Sequence, residues 1–73
     1  MTWHSDLVEV VEANWRRGST FTLSEIYRLA QHLSRRHPQN HHPEAKIRQT
    51  LQRMRDLGAL EFIDDRGTYR RLI

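Results

Sequence analysis

Three features of this 73-residue sequence predict an α+β domain in which three helices precede a two-stranded hairpin. Apolar residues recur at helical spacing in three segments up to Gly58, and the remaining stretch is rich in strand formers around one glycine turn. There is no cysteine, so neither a disulfide nor a thiolate zinc site can brace so short a chain, and a reducing cytoplasm is the expected compartment. A core of this size supplies only ~3 to 5 kcal/mol, and a lone hairpin is marginal, so helices and strands must share a single core spanning residues 1–73.

The first helix is expected to start from a cap at Ser5 or Asp6. Leu7, Val8, Val11 and Trp15 then follow at helical spacing to Arg16 or Arg17, and Gly18 is the expected terminator. On this pattern Trp15 belongs to the core, while Trp3 precedes the cap and is expected either to staple the start of the helix or, in a longer parent chain, to pack on a neighbouring domain. Thr22-Leu23-Ser24-Glu25 is a capping box that opens a second helix. Its stripe is Ile26, Leu29, Ala30 and Leu33, and Pro38 stops it at or before His37.

Pro38 to His42 contains no apolar residue and links to a third helix, whose first turn suits Pro43 because the missing N–H would have had no partner there. Ile47, Leu51, Met54 and Leu57 recur at spacings of four, three and three, and Gly58 is a good left-handed cap. Leu60–Ile63 and Thr68–Ile73 read as strands around Asp64-Asp65-Arg66-Gly67, with a short third strand near Thr20-Phe21. This order is that of a winged helix-turn-helix, three helices with a C-terminal β-hairpin wing, in which the third helix usually enters the DNA major groove.

The net charge of +3 is unevenly spread. Residues 28–55 carry seven basic side chains against Glu44 alone, whereas both flanking segments are net acidic. Eleven of the twelve basic residues are arginine, whose planar fork suits phosphate and guanine edges. A polyanion is the implied partner, and a solvated basic face is the plain alternative.

With Ile47, Leu51, Met54 and Leu57 turned inward at about 100° per residue, Ala45, Gln49, Gln52 and Asp56 point away from the core. Lys46 and Arg53 flank them on one side, Arg48 and Arg55 on the other. Glutamine can pair bidentately with adenine, arginine with guanine, and a small apolar residue such as Ala45 can pack on a methyl group in the groove. His41 and His42 precede the helix N-terminus, whose free N–H groups and dipole favour phosphate. An ordinary solvated helix would show the same residues.

Asn40-His41-His42-Pro43-Glu44-Ala45-Lys46-Ile47-Arg48-Gln49-Thr50-Leu51-Gln52, followed by Arg55-Asp56-Leu57-Gly58 and Glu61-Phe62, resembles the C-terminal winged-helix domain of the methyl-directed restriction endonuclease DpnI and of Dam-replacing proteins. Phe21-Thr22-Leu23, Glu25, Tyr27 and His37-Pro38 are similar too, so the likeness covers essentially residues 3–72. The resemblance implies a module that binds duplex DNA carrying N6-methyladenine in GATC and works beside a separate nuclease domain; a monomer is the expected state. It would assign Ala45, Lys46, Arg48, Gln49, Gln52 and Arg53 to the major-groove surface. Independently of the resemblance, Pro43, Ala45 and the aliphatic stems of the flanking side chains are candidates to pack on the methyl group, and His41 and His42 are candidates for phosphate contact at the helix N-terminus. The wing departs from the family, because Asp64-Asp65 would repel phosphate and leave most of the binding to the helix rather than to Arg66 and Arg70. A protein-binding winged helix, or a regulator indifferent to methylation, is the alternative reading.

Other chemistry finds little support in the sequence. His37, His41 and His42 lack a second cluster to complete a metal site, so no metal or cofactor is expected. Glu44-Ala45-Lys46 has the acid-x-lysine form of restriction nucleases but opens a helix and lacks an upstream acid. Tyr27 and Tyr69 read as boundary residues rather than stacking platforms. No apolar run exceeds two residues, which excludes a membrane-spanning helix, and no signal-peptide core is present.

Overall fold

Thr2, rather than Ser5 or Asp6, caps the first helix in the computed structural model, which describes residues 2–39, 41–64 and 66–73. The Thr2 hydroxyl accepts the Ser5 N–H at 3.1 Å while the Ser5 hydroxyl accepts the Thr2 N–H at 3.2 Å, a reciprocal box one turn earlier than the spacing predicts. Helix α1 (Trp3–Asn14) therefore includes Trp3, which is buried and stacked on His37 at 4.7 Å rather than stapling the helix from outside. The helix also stops early. Trp15 is extended at φ −134° and ψ 140°, and its half-buried ring stacks on Phe21 at 4.3 Å.

Strand β1 (Thr20–Thr22) leads directly into α2 (Leu23–Leu29) through the predicted capping box, in which the Thr22 hydroxyl accepts the Glu25 N–H and the Glu25 carboxylate accepts the Thr22 N–H. The second predicted helix is broken. After α2 the N–H groups of Leu33, Ser34 and Arg35 bond three residues back, to Ala30, Gln31 and His32, before a single turn forms α3 (Leu33–Arg36). His32 Nδ1 lies 3.0 Å from the Leu29 carbonyl and the Ser34 hydroxyl donates to Gln31 at 2.9 Å, so local side chains compete with the helical ladder. The tighter turn stacks residues three apart, which buries Ala30 and Leu33 together and leaves Leu29 38% exposed. Four helices thus replace the expected three.

Helix α4 (Pro43–Asp56) begins at Pro43 as predicted and buries Ile47, Thr50, Leu51 and Met54. Leu57 is the exception to its expected stripe, at 64% exposed. The helix has already ended there, Gly58 turns the chain at φ +82°, and Ala59 and Leu60 occupy the core in its place.

Strands β2 (Leu60–Phe62) and β3 (Thr68–Arg71) form the hairpin, and β1 pairs antiparallel with β3 to give the order β1-β3-β2. The strands are shorter than predicted, and Ile63, Leu72 and Ile73 are exposed beyond their ends. Tyr69 faces Phe21 on one side and Phe62 on the other, with ring centroids 5.5 and 4.9 Å apart, an aromatic row across the sheet. At 6% exposure Tyr69 is a core residue, not a boundary one. Asn40 of the linker and Asp65 of the hairpin turn lie outside the described residues. No helix is long and apolar enough to cross a membrane among those described.

Candidate nucleic-acid interface

Helix α4 is pressed into the fold by its apolar side, and the Thr50 hydroxyl is satisfied by the Lys46 carbonyl at 2.7 Å, so its opposite side is left to solvent. Ala45, Gln49, Gln52 and Asp56 are exposed there, as the helical period predicts. Lys46 is half-buried toward the start of α1 and its ammonium reaches Gln49 Oε1 at 3.4 Å. Arg53 lies on the same flank, exposed, and its guanidinium has no partner among the described residues. On the other flank, Arg48 Nη1 donates to the Tyr27 hydroxyl at 2.8 Å. Arg55 stands over the Phe62 ring at 4.5 Å and also meets Asp56 Oδ1 at 3.3 Å.

Two open grooves run beside this exposed crest. One, of about 580 Å³, separates α4 from the start of α1 and is lined by Trp3, His4, His37, Lys46, Gln49 and Arg53. The other, of about 440 Å³, separates α4 from the hairpin and is lined by Arg48, Arg55, Phe62, Arg66 and Tyr69. Gln52 lines both, which puts its amide at the crest between them. The structure thus gathers Lys46, Arg48, Gln49, Gln52 and Arg53 on one side of the domain. Ala45 and Pro43 lie at the N-terminal end of the same helix, with Pro43 half-buried. His41 and His42 are exposed just before it, and the His42 carbonyl accepts the Lys46 N–H at 3.0 Å. Both histidines therefore stand at the positive end of the helix dipole.

The wing is locally self-satisfied. Asp64 accepts the N–H groups of Arg66 and Thr68 at 2.9 and 3.1 Å, and the bond from Arg66 above all holds its carboxyl below the ordinary value of 3.8. Arg70 is paired with Glu61 across the hairpin at 3.0 Å. Among the described residues no group of three or more metal-ligating side chains is suitably placed to hold a metal ion.

Two side chains that organise the arginines escaped sequence reasoning, namely Tyr27 beneath Arg48 and Phe62 beneath Arg55. Both partnerships join residues on different elements, and neither leaves a periodic trace in the sequence. A family model described as the Dam-replacing HTH domain matches residues 1–71 of the chain.

Proposed function

The chain belongs to the family of Dam-replacing helix-turn-helix domains, and from that membership we propose that it binds duplex DNA by laying α4 in the major groove and reads N6-methyladenine in GATC. The observation that carries this reading is the exposed amide pair Gln49 and Gln52 on the crest of α4, with Lys46 and Arg53 on one flank and Arg48 and Arg55 on the other. In a paired N6-methyladenine the remaining N6 hydrogen bonds thymine and the methyl group stands in the major groove, so an amide can donate to N7 beside the methyl, while the flanking guanidiniums reach guanine edges or phosphates. Pro43, Ala45 and the aliphatic stems of the flanking side chains offer the methyl group an apolar neighbour. His41 and His42 lie where a phosphate at the helix N-terminus would meet them.

Burying one methyl group is worth about 0.8 kcal/mol, so the two methyl groups of a fully methylated site give roughly tenfold preference. A larger preference requires a penalty on the unmethylated base, such as a dry pocket left unfilled. The domain acts as a binding module, one copy per site, and any strand cleavage belongs to a separate nuclease domain.

Fluorescence anisotropy titrations on fully methylated, half-methylated and unmethylated GATC duplexes, and on a scrambled duplex, test the reading. Affinity is expected to fall in that order. Equal affinity across methylation states removes the methyl-reader assignment, and equal affinity for the scrambled duplex removes sequence reading altogether.

A further inference from the structure

We propose that Tyr27, on α2, is a positioning residue that sets the direction of Arg48 and so contributes to base discrimination by α4. This inference rests on the reading of α4 as the DNA-contacting helix. The Tyr27 ring is half-buried, and its hydroxyl accepts one Nη1 hydrogen of Arg48 at 2.8 Å across the junction of α2 and α4. Tyr27 packs against the buried core, and Arg48 lines the groove beside the hairpin together with Phe62 and Tyr69 of the aromatic row. The anchor is therefore fastened to the core rather than to a mobile side chain.

An exposed arginine normally disperses over many rotamers, and holding it in one geometry before the ligand arrives reduces the entropy lost on binding. The bond from Nη1 leaves the Nε and Nη2 edge of Arg48 without a partner among the described residues, and that edge is a two-donor fork suited to a planar acceptor pair. Arg53, across the crest, has no comparable anchor among those residues. A free guanidinium adapts to any phosphate, whereas a directed fork rewards one arrangement of acceptors and gains less from others. The two arginines thereby divide the work: Arg48 discriminates and Arg53 adheres.

The test is a double-mutant cycle read on a fully methylated GATC duplex and on a scrambled duplex of equal composition. Tyr27→Phe keeps the ring and removes only the hydroxyl. It is expected to weaken binding to the GATC duplex by roughly three- to tenfold, with the scrambled duplex and the salt dependence unchanged. In an Arg48→Ala background the same substitution is expected to have no further effect. An equal loss on both duplexes, no loss on either, or a loss that persists without Arg48 overturns the positioning role. A thermal unfolding curve for each variant separates these outcomes from loss of the fold. If the unsubstituted protein fails to distinguish the duplexes, the DNA reading itself fails, and that result is visible before any variant is made.

Discussion

His37 Nε2 lies 2.8 Å from Asp6 Oδ2, joining the residue that follows α3 to the first turn of α1 through a carboxylate that is only 3% exposed. Arg36 approaches the other oxygen at 3.5 Å, and Trp3 stacks on the imidazole at 4.7 Å. These contacts hold the chain just before it crosses to α4, and so they bear on where the exposed helix sits. Asp6→Ala leaves His37 without its carboxylate and is expected to cost about 2 to 3 kcal/mol. Asp6→Asn keeps an acceptor and should cost less. Urea unfolding midpoints of the two variants check the ranking.

Substitution of the crest should separate base contacts from backbone contacts. Gln49→Ala or Gln52→Ala is expected to cost about 1 to 3 kcal/mol on the methylated GATC duplex and little on random DNA. Arg53→Ala is expected to weaken both duplexes alike. Parallel anisotropy titrations distinguish the two patterns.

Salt should weaken the complex steeply. If the basic flanks of α4 and the histidines before it neutralise roughly four to five phosphates, log affinity falls with log salt at a slope of about −4. A titration series between low and physiological salt measures it, and each lost phosphate contact should reduce the slope by about one.

The end of α4 provides a stability test with opposite outcomes for two leucines. Leu51 is fully buried, so Leu51→Ala should cost about 2 to 5 kcal/mol. Leu57 is 64% exposed, and Leu57→Ser should change stability by no more than about 0.5 kcal/mol. Chemical denaturation of both variants checks the contrast.

Alkaline pH should destabilise the domain through Tyr69. Burial is the main cause that pushes its phenol above 10.0, reinforced by Tyr27 and Asp64 and opposed by the charge of Arg48. Because the folded state holds this proton more tightly, the stabilisation is fully present below about pH 10 and is lost as pH rises through the higher folded value. Tyr69→Phe should flatten the fall in thermal midpoint above about pH 10. An unchanged alkaline profile in that variant would assign the loss to other groups.

The amino-acid order alone determined the winged-helix arrangement, the start of α4 at Pro43 and the outward direction of its glutamines. These depend on local chemistry: a proline that suits a first turn, a glycine past the last one, and a helical period of about 3.6 residues that sorts side chains onto two sides. Tertiary structure decided where helical propensity gave way, splitting the second predicted helix at Ala30–His32 and releasing Leu57 from the core. It also decided which arginines are held. Tyr27 meets Arg48 from 21 positions away, and Phe62 meets Arg55 from another element, contacts that exist only once the helices and the sheet have packed. Periodicity records which side of an element faces inward; it carries no information about which residue of another element waits there.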